Sequence, residues 1–79
     1  MPEELLNNRL REYRARHRLT QEQLAERVGV TRKTINTVEN SVFIPSTLLA
    51  LKLAKVLEAS VEDLFQLCST SEGWQEKGL

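Results

Sequence analysis

LTQEQLAERVGVTRKTINTVE, residues 19–39, reads as two short helices joined by a tight turn at Gly29-Val30. Thr20 and Gln23 have the spacing of a capping box, in which the threonine hydroxyl takes the amide N–H three residues on. Leu19 before that cap and Leu24 after it have the spacing of a hydrophobic staple. Gly29 ends the first helix, because glycine enters the left-handed backbone conformation without a steric penalty. Thr31 opens the second helix, and Val30 with Ile35 repeats the staple spacing. Two stapled starts eleven residues apart fix the entry angles of both helices.

The second helix carries little apolar surface beyond Ile35 and Val38. Arg32, Lys33, Thr34, Asn36 and Thr37 all carry hydrogen-bond donors. A helix anchored by two apolar residues, with donors on its open side, suits a polar and anionic surface. The major groove of DNA is such a surface.

Outward from this pair, three more helices are expected and no strand. The first runs from about Pro2 to His17, because Leu6, Leu10, Tyr13 and His17 form one helical stripe. Glu12 and Arg16 form an i, i+4 pair in the favourable orientation. After a loop over Asn40–Pro45, Ser46 caps a helix over Thr47–Leu57 with Leu49, Leu53, Val56 and Leu57 on one stripe. Ser60 and Asp63 cap a short last helix that ends near Leu64-Phe65. Residues 67–79 are expected to be a tail, mobile or docked through Trp74, outside a folded domain of residues 1–66.

A chain of 79 residues supports one small domain with a modest core. The single cysteine, Cys68, excludes an internal disulfide framework and a cysteine-based zinc site, and it reads as a small apolar residue. His17 has no second histidine to share a metal with, so no metal or cofactor is expected. The chain shows no apolar run that could cross a bilayer and no secretory signal, which makes the cytoplasm the expected compartment. Formal net charge is zero, but residues 1–40 hold 8 of the 11 basic residues against 6 acidic ones. Residues 41–79 hold 3 basic against 5 acidic, so the halves carry +2 and −2. Overall neutrality predicts weak non-specific affinity for DNA, since that term comes mainly from neutralised phosphates. No nucleophile–base pairing and no phosphate-cradling glycine loop is present, so an enzyme is not expected.

The stretches NRLREYR, LTQEQLAERVGVTRKTI, TVEN, PS and LALKLAKVLEASVEDLF resemble the Cro/repressor type of helix-turn-helix, also called XRE-like DNA-binding domains. The resemblance covers Arg9–Phe65, or 57 of 79 residues. It implies an all-α, compact five-helix fold of the lambda-repressor-like kind. It also implies a recognition surface made by Thr31, Arg32, Lys33, Asn36 and Thr37. Gln21 and Asn40 would meet phosphates, and Arg14 with Glu39 would form a buried ion pair locking the first helix to the end of the third. Thr34, Arg11 and Arg18 are further phosphate candidates, whereas Arg9 and Arg16 read as a solvated helix face.

Three positions depart from the family pattern. Ser41-Val42 stands where the family often has glycine followed by a basic residue, which removes one phosphate contact. Glu58 replaces the usual glycine after the fourth helix, so it must either take a left-handed backbone or let the helix end differently. Ile44 stands where a polar residue is common, which makes Val42-Phe43-Ile44 unusually apolar.

Val42, Ile44, Leu48, Leu51 and Trp74 are therefore expected to form an apolar dimer surface. The expected function is a sequence-specific transcriptional regulator, a repressor, working as a homodimer on a pseudo-palindromic stretch of double-stranded DNA. The alternative is an antitoxin or other module that uses the same scaffold to engage a protein partner. Neither reading involves a membrane.

Overall fold

A computed structural model of the chain describes residues 4–69. The element order is β1 (Glu4–Asn8), α1 (Leu10–Arg16), α2 (Gln21–Val28), α3 (Arg32–Glu39), α4 (Thr47–Val56), α5 (Val61–Leu64) and β2 (Phe65–Ser69). Five helices pack around one core, and a two-stranded antiparallel sheet joins the two ends of this segment.

Side-chain capping starts four of the five helices. Thr20 accepts from the Gln23 amide and Ser60 from the Asp63 amide, both as full capping boxes. Thr31 accepts from Thr34 and Ser46 from Leu49. Each such cap contributes about 1 kcal/mol by satisfying a donor that the helix itself cannot pair. Gly29 ends α2 at φ 78°, where an L side chain would be strained.

The core is made of Leu10, Leu24, Ile35, Val38, Leu53, Leu57 and Leu64, which are essentially sealed from solvent. Leu19 and Leu24 of the first staple are both buried. So is Ile35 of the second, with Val30 packed against the same cluster. The stripe on α4 buries Leu49, Leu53 and Leu57, with Val56 at its margin.

The five helices agree with the expected helical fold, and the small sheet corrects the expectation of no strand. Residues 4–8 do not extend the first helix towards Pro2; they form β1, paired with β2 in the register Glu4↔Ser69 to Asn8↔Phe65. The Leu6–Leu10–Tyr13–His17 spacing is genuinely helical, but Leu6 reaches the core from a strand instead. The reason is non-local: FQLCS supplies backbone partners from the far end of the fold. Asn7 and Asn8 are poor helix formers whose amides compete with the backbone. Asn8 Oδ1 accepts the Leu10 amide at 3.1 Å, so the helix starts only after it. Strand β2 carries the fold to Ser69, across the expected boundary at residue 66. Trp74 lies outside the described residues.

Among the described residues, three other than glycine take positive φ: Arg18 (56°), Ser41 (62°) and Glu58 (55°). Each directly follows the C-cap of α1, α3 or α4. Glu58 thus adopts the left-handed conformation, and α4 ends as it would with glycine there.

Candidate nucleic-acid interface

Helix α3 lies against α2 through Ile35 and Val38 and turns Arg32, Lys33 and Asn36 to solvent. Arg32 and Lys33 make no side-chain hydrogen bond or ion pair among the described residues, so their donors remain available. Thr31 is committed in part to the backbone, since its hydroxyl caps Thr34 N and touches Thr34 Oγ1 at 3.1 Å. Thr37 is half-buried and donates to the Thr34 carbonyl at 2.9 Å. That leaves its methyl group and a lone pair for any outside contact.

Behind this surface sits the Arg14–Glu39 pair. Arg14 Nε donates to Glu39 Oε2 at 2.6 Å and Nη2 to Oε1 at 3.3 Å. Arg14 Nη1 also donates to the Leu19 carbonyl at 2.9 Å, so one guanidinium joins α1, the α1–α2 connection and the end of α3. The Glu39 side chain is fully buried and that of Arg14 is 18% exposed. Burial alone would push the Glu39 carboxyl up. The hydrogen bonds from Arg14 and Gln21, the Arg14 charge and the hydrogen bond from Arg11 outweigh it, and the net pKa lies below the usual glutamate value.

Gln21 Nε2 donates to Glu39 Oε1 at 3.0 Å and to Asn36 Oδ1 at 3.2 Å. Both protons of its side-chain amide are therefore used inside the protein. A phosphate at the start of α2 would meet the Gln21 backbone N–H, which a first-turn helix residue leaves unpaired. Asn40 Nδ2 donates to Asn36 Oδ1 at 3.2 Å, and Arg11 Nη2 donates to Asn40 Oδ1 at 3.2 Å. Arg11 Nε also lies 3.4 Å from Glu39 Oε1 while most of its side chain stays in solvent. Arg18 is exposed beyond the end of α1.

Arg9 and Arg16 are held to α1 itself. Arg9 grips Glu12 through Nε and Nη2 at 3.0 and 2.9 Å, and Arg16 reaches the same carboxylate at 2.7 Å. The Arg16 guanidinium also covers the Tyr13 ring at 4.4 Å. These contacts hold the pair to their own helix.

Two anchors escaped the sequence reading. Asn8 Nδ2 donates to the Val38 carbonyl at 2.9 Å, tying the start of α1 to the last turn of α3. His17 Nε2 donates to the Leu57 carbonyl at 2.8 Å, tying the end of α1 to the end of α4. The paired asparagines at 7–8 were the available signal for the first. Nothing in the sequence pattern marks the second.

On α4 and the loop before it, Val42 (76% exposed), Ile44 (72%), Leu48 (63%) and Leu51 (54%) stand in solvent, as does much of Phe43. Beside them an open apolar groove of about 320 Å³ is lined by Leu6, Pro45, Ala50, Leu51, Val61 and Phe65. Among the described residues no group of three or more His, Cys, Asp or Glu side chains could hold a metal ion. No helix among them is long and apolar enough to cross a membrane.

Residues 10–64 match the helix-turn-helix family model. The chain is 42% identical over 72 residues to an uncharacterized HTH-type transcriptional regulator of Archaeoglobus fulgidus, covering 91% of this chain and all of that one. It is 45% identical over 62 residues to the uncharacterized HTH-type transcriptional regulator YgzD of Bacillus subtilis, covering 78% and 94% of the two chains. Among solved structures it is similar to the restriction-modification controller protein C.AhdI of Aeromonas hydrophila. That likeness has TM-score 0.66 and 36% identity, over 70% of this chain and 83% of that one. A putative DNA-binding protein from Bacteroides fragilis gives TM-score 0.72 at 26% identity, over 78% and 100%.

Proposed function

This chain belongs to the XRE-type helix-turn-helix family of DNA-binding transcriptional regulators, and we propose that it is a sequence-specific repressor acting as a homodimer on a pseudo-palindromic operator. The observation that carries this reading is the exposed donor ridge of α3, with Arg32 and Lys33 unpaired among the described residues. Thr31, Arg32, Lys33, Asn36 and Thr37 read base edges in the major groove. The Gln21 backbone, Thr34, Asn40, Arg11 and Arg18 meet phosphates and set the register. Glu39 does not repel the backbone, because two arginines neutralise it and its side chain is buried.

Val42, Ile44, Leu48 and Leu51, with the groove beside Leu51, form the surface between the two copies. Among the described residues, five large apolar side chains left in solvent on α4 and the loop before it, Phe43 included, are a liability unless something covers them. A two-fold dimer would place the two α3 helices in half-sites about 10 bp apart or a multiple of that. Such a protein occupies its site in the cytoplasm and represses by excluding other proteins from it.

Selection of bound duplexes from a random pool tests this. The wild type enriches a motif with two-fold symmetry, and the Arg32→Ala/Lys33→Ala double variant enriches none while melting at the same temperature. Failure of the wild type to enrich any sequence would refute the reading. It would shift the weight to an antitoxin or other protein-binding role, which the apolar loop at Val42-Phe43-Ile44 also suits.

A further inference from the structure

We propose that Asn36 reads DNA as a hydrogen-bond donor only, and so selects guanine over adenine at the base pair it meets. The inference rests on the major-groove reading of α3 given above. It concerns what that helix can recognise, and it reverses what asparagine alone suggests. A free asparagine amide pairs with adenine, its oxygen accepting from N6 and its nitrogen donating to N7.

In this protein the polarity of the amide is fixed by its neighbours. The chain of contacts runs Arg11–Asn40–Asn36–Gln21–Glu39, and both of its ends have a single polarity. Glu39 is an ionised carboxylate and can only accept, so the Gln21 atom at 3.0 Å from it must be the amide nitrogen. That same nitrogen lies 3.2 Å from Asn36, so the Asn36 atom facing it must be the oxygen. At the other end Arg11 can only donate, so the Asn40 atom 3.2 Å away must be its oxygen. The Asn40 nitrogen is then the atom 3.2 Å from Asn36, and it too points at the Asn36 oxygen. The two derivations start from opposite ends and agree. Side-chain amide orientation is settled by the network it must satisfy, and this network admits one solution.

Asn36 Oδ1 thus receives two donors, which use both of its lone pairs. What remains is the NH₂ group, on an exposed residue of α3. Guanine presents two adjacent acceptors in the major groove, N7 and O6, which match two N–H donors. Adenine presents one acceptor and one donor, and its N6 group would face another donor. Gln21 and Asn40 are positioning residues in this scheme, and Glu39 and Arg11 hold them in turn.

Selection from a random duplex pool with four proteins tests the inference. Asn36→Ala identifies the base position by flattening its preference. At that position the wild type enriches guanine, and replacing the base with 7-deazaguanine, which lacks the N7 acceptor, weakens the wild type but not Asn36→Ala. Asn36→Asp keeps the two inward contacts and turns an acceptor outward. It loses about tenfold on the wild-type site and enriches cytosine, whose N4 donates. The Gln21→Leu/Asn40→Ala double variant frees the Asn36 oxygen and moves the preference towards adenine. If that variant fails to fold, Asn40→Ala alone, which changes only an exposed side chain, moves it in the same direction. Adenine at that position in the wild type would overturn the inference and leave the DNA-binding reading intact. So would an Asn36→Ala variant that alters no position or weakens all sequences equally. A wild type that enriches nothing would instead remove the DNA-binding reading, and the inference with it.

Discussion

Arg14 and Glu39 lie 25 residues apart in the chain, and Arg14 Nε meets Glu39 Oε2 at 2.6 Å with the carboxylate wholly buried. Helix α1 is thereby fastened to the last turn of α3. The carboxylate so held also orients Gln21 and, through it, Asn36. One buried charge therefore serves both the fold and the outer surface.

Removing that carboxylate leaves the Arg14 guanidinium short of its partner. Loss of one member of a fully buried pair costs roughly 3–5 kcal/mol. Arg14 keeps some contact with water and retains its bond to the Leu19 carbonyl, so Glu39→Ala should cost about 3 kcal/mol. In a domain of this size that lowers the melting temperature by more than about 10 °C. A thermal melt checks it; an unchanged midpoint would mean that the pair does not hold the helices.

The same group sets an acid limb. The folded Glu39 carboxyl lies below its unfolded value, chiefly because Arg14 and Gln21 overcome its burial. Between the two values the unfolded chain binds the proton and the native protein does not, so stability rises with pH there. The contribution is complete above the ordinary glutamate range and disappears as pH falls through the lowered folded value. Melting curves between neutral pH and pH 3 should show the wild type losing more stability on acidification than Glu39→Gln does.

Glu58 sits at φ 55° just after α4. A left-handed backbone costs an ordinary L residue roughly 1–2 kcal/mol, and glycine repays part of that in lost unfolded entropy. Glu58→Gly should therefore stabilise the protein by about 0.5–1 kcal/mol, measured by urea unfolding with an unchanged m-value. The side chain is exposed and makes no hydrogen bond among the described residues, so no contact is forfeited. A destabilised variant would show that Glu58 makes up for its strain elsewhere.

The exposed apolar face offers a fourth measurement. Ile44→Asp combined with Leu48→Asp changes two side chains that are 72% and 63% exposed. Changes at such positions alter monomer stability by about 0.5 kcal/mol or less. Sedimentation should show a dimer for the wild type and a monomer for the double variant, and affinity for the selected operator should fall at least about tenfold. A wild type that sediments as a monomer at micromolar concentration would refute the proposed interface.

Helix starts were legible because capping is local: Thr20, Thr31, Ser46 and Ser60 each bond an amide three residues away. The staples and the core stripe of α4 were legible for the same reason, as short-range periodicity. For Glu58, standing in glycine's place, the sequence left two outcomes open, a left-handed backbone or a different helix end, and the structure shows the first. The sheet was illegible because each strand exists only through the other. A run such as ELLNN, read alone, fits a helix as well as a strand. Within the candidate interface, the residue types on α3 could be named, but their polarity could not. That Gln21 spends both amide protons inward, and that Asn36 turns its oxygen inward, depends on Glu39 and Arg11 arriving from elsewhere in the chain.

Pairing residue 4 with residue 69 makes the described polypeptide a nearly closed ring whose clasp is a ribbon of two strands. Among the described residues, bringing such distant segments together requires the greatest loss of chain entropy, and none of it is recovered until the intervening helices have assembled. The ribbon should therefore zip last during folding and fray first afterwards. A covalent link across the clasp would remove that late step and slow the fraying, with α3 left as it is.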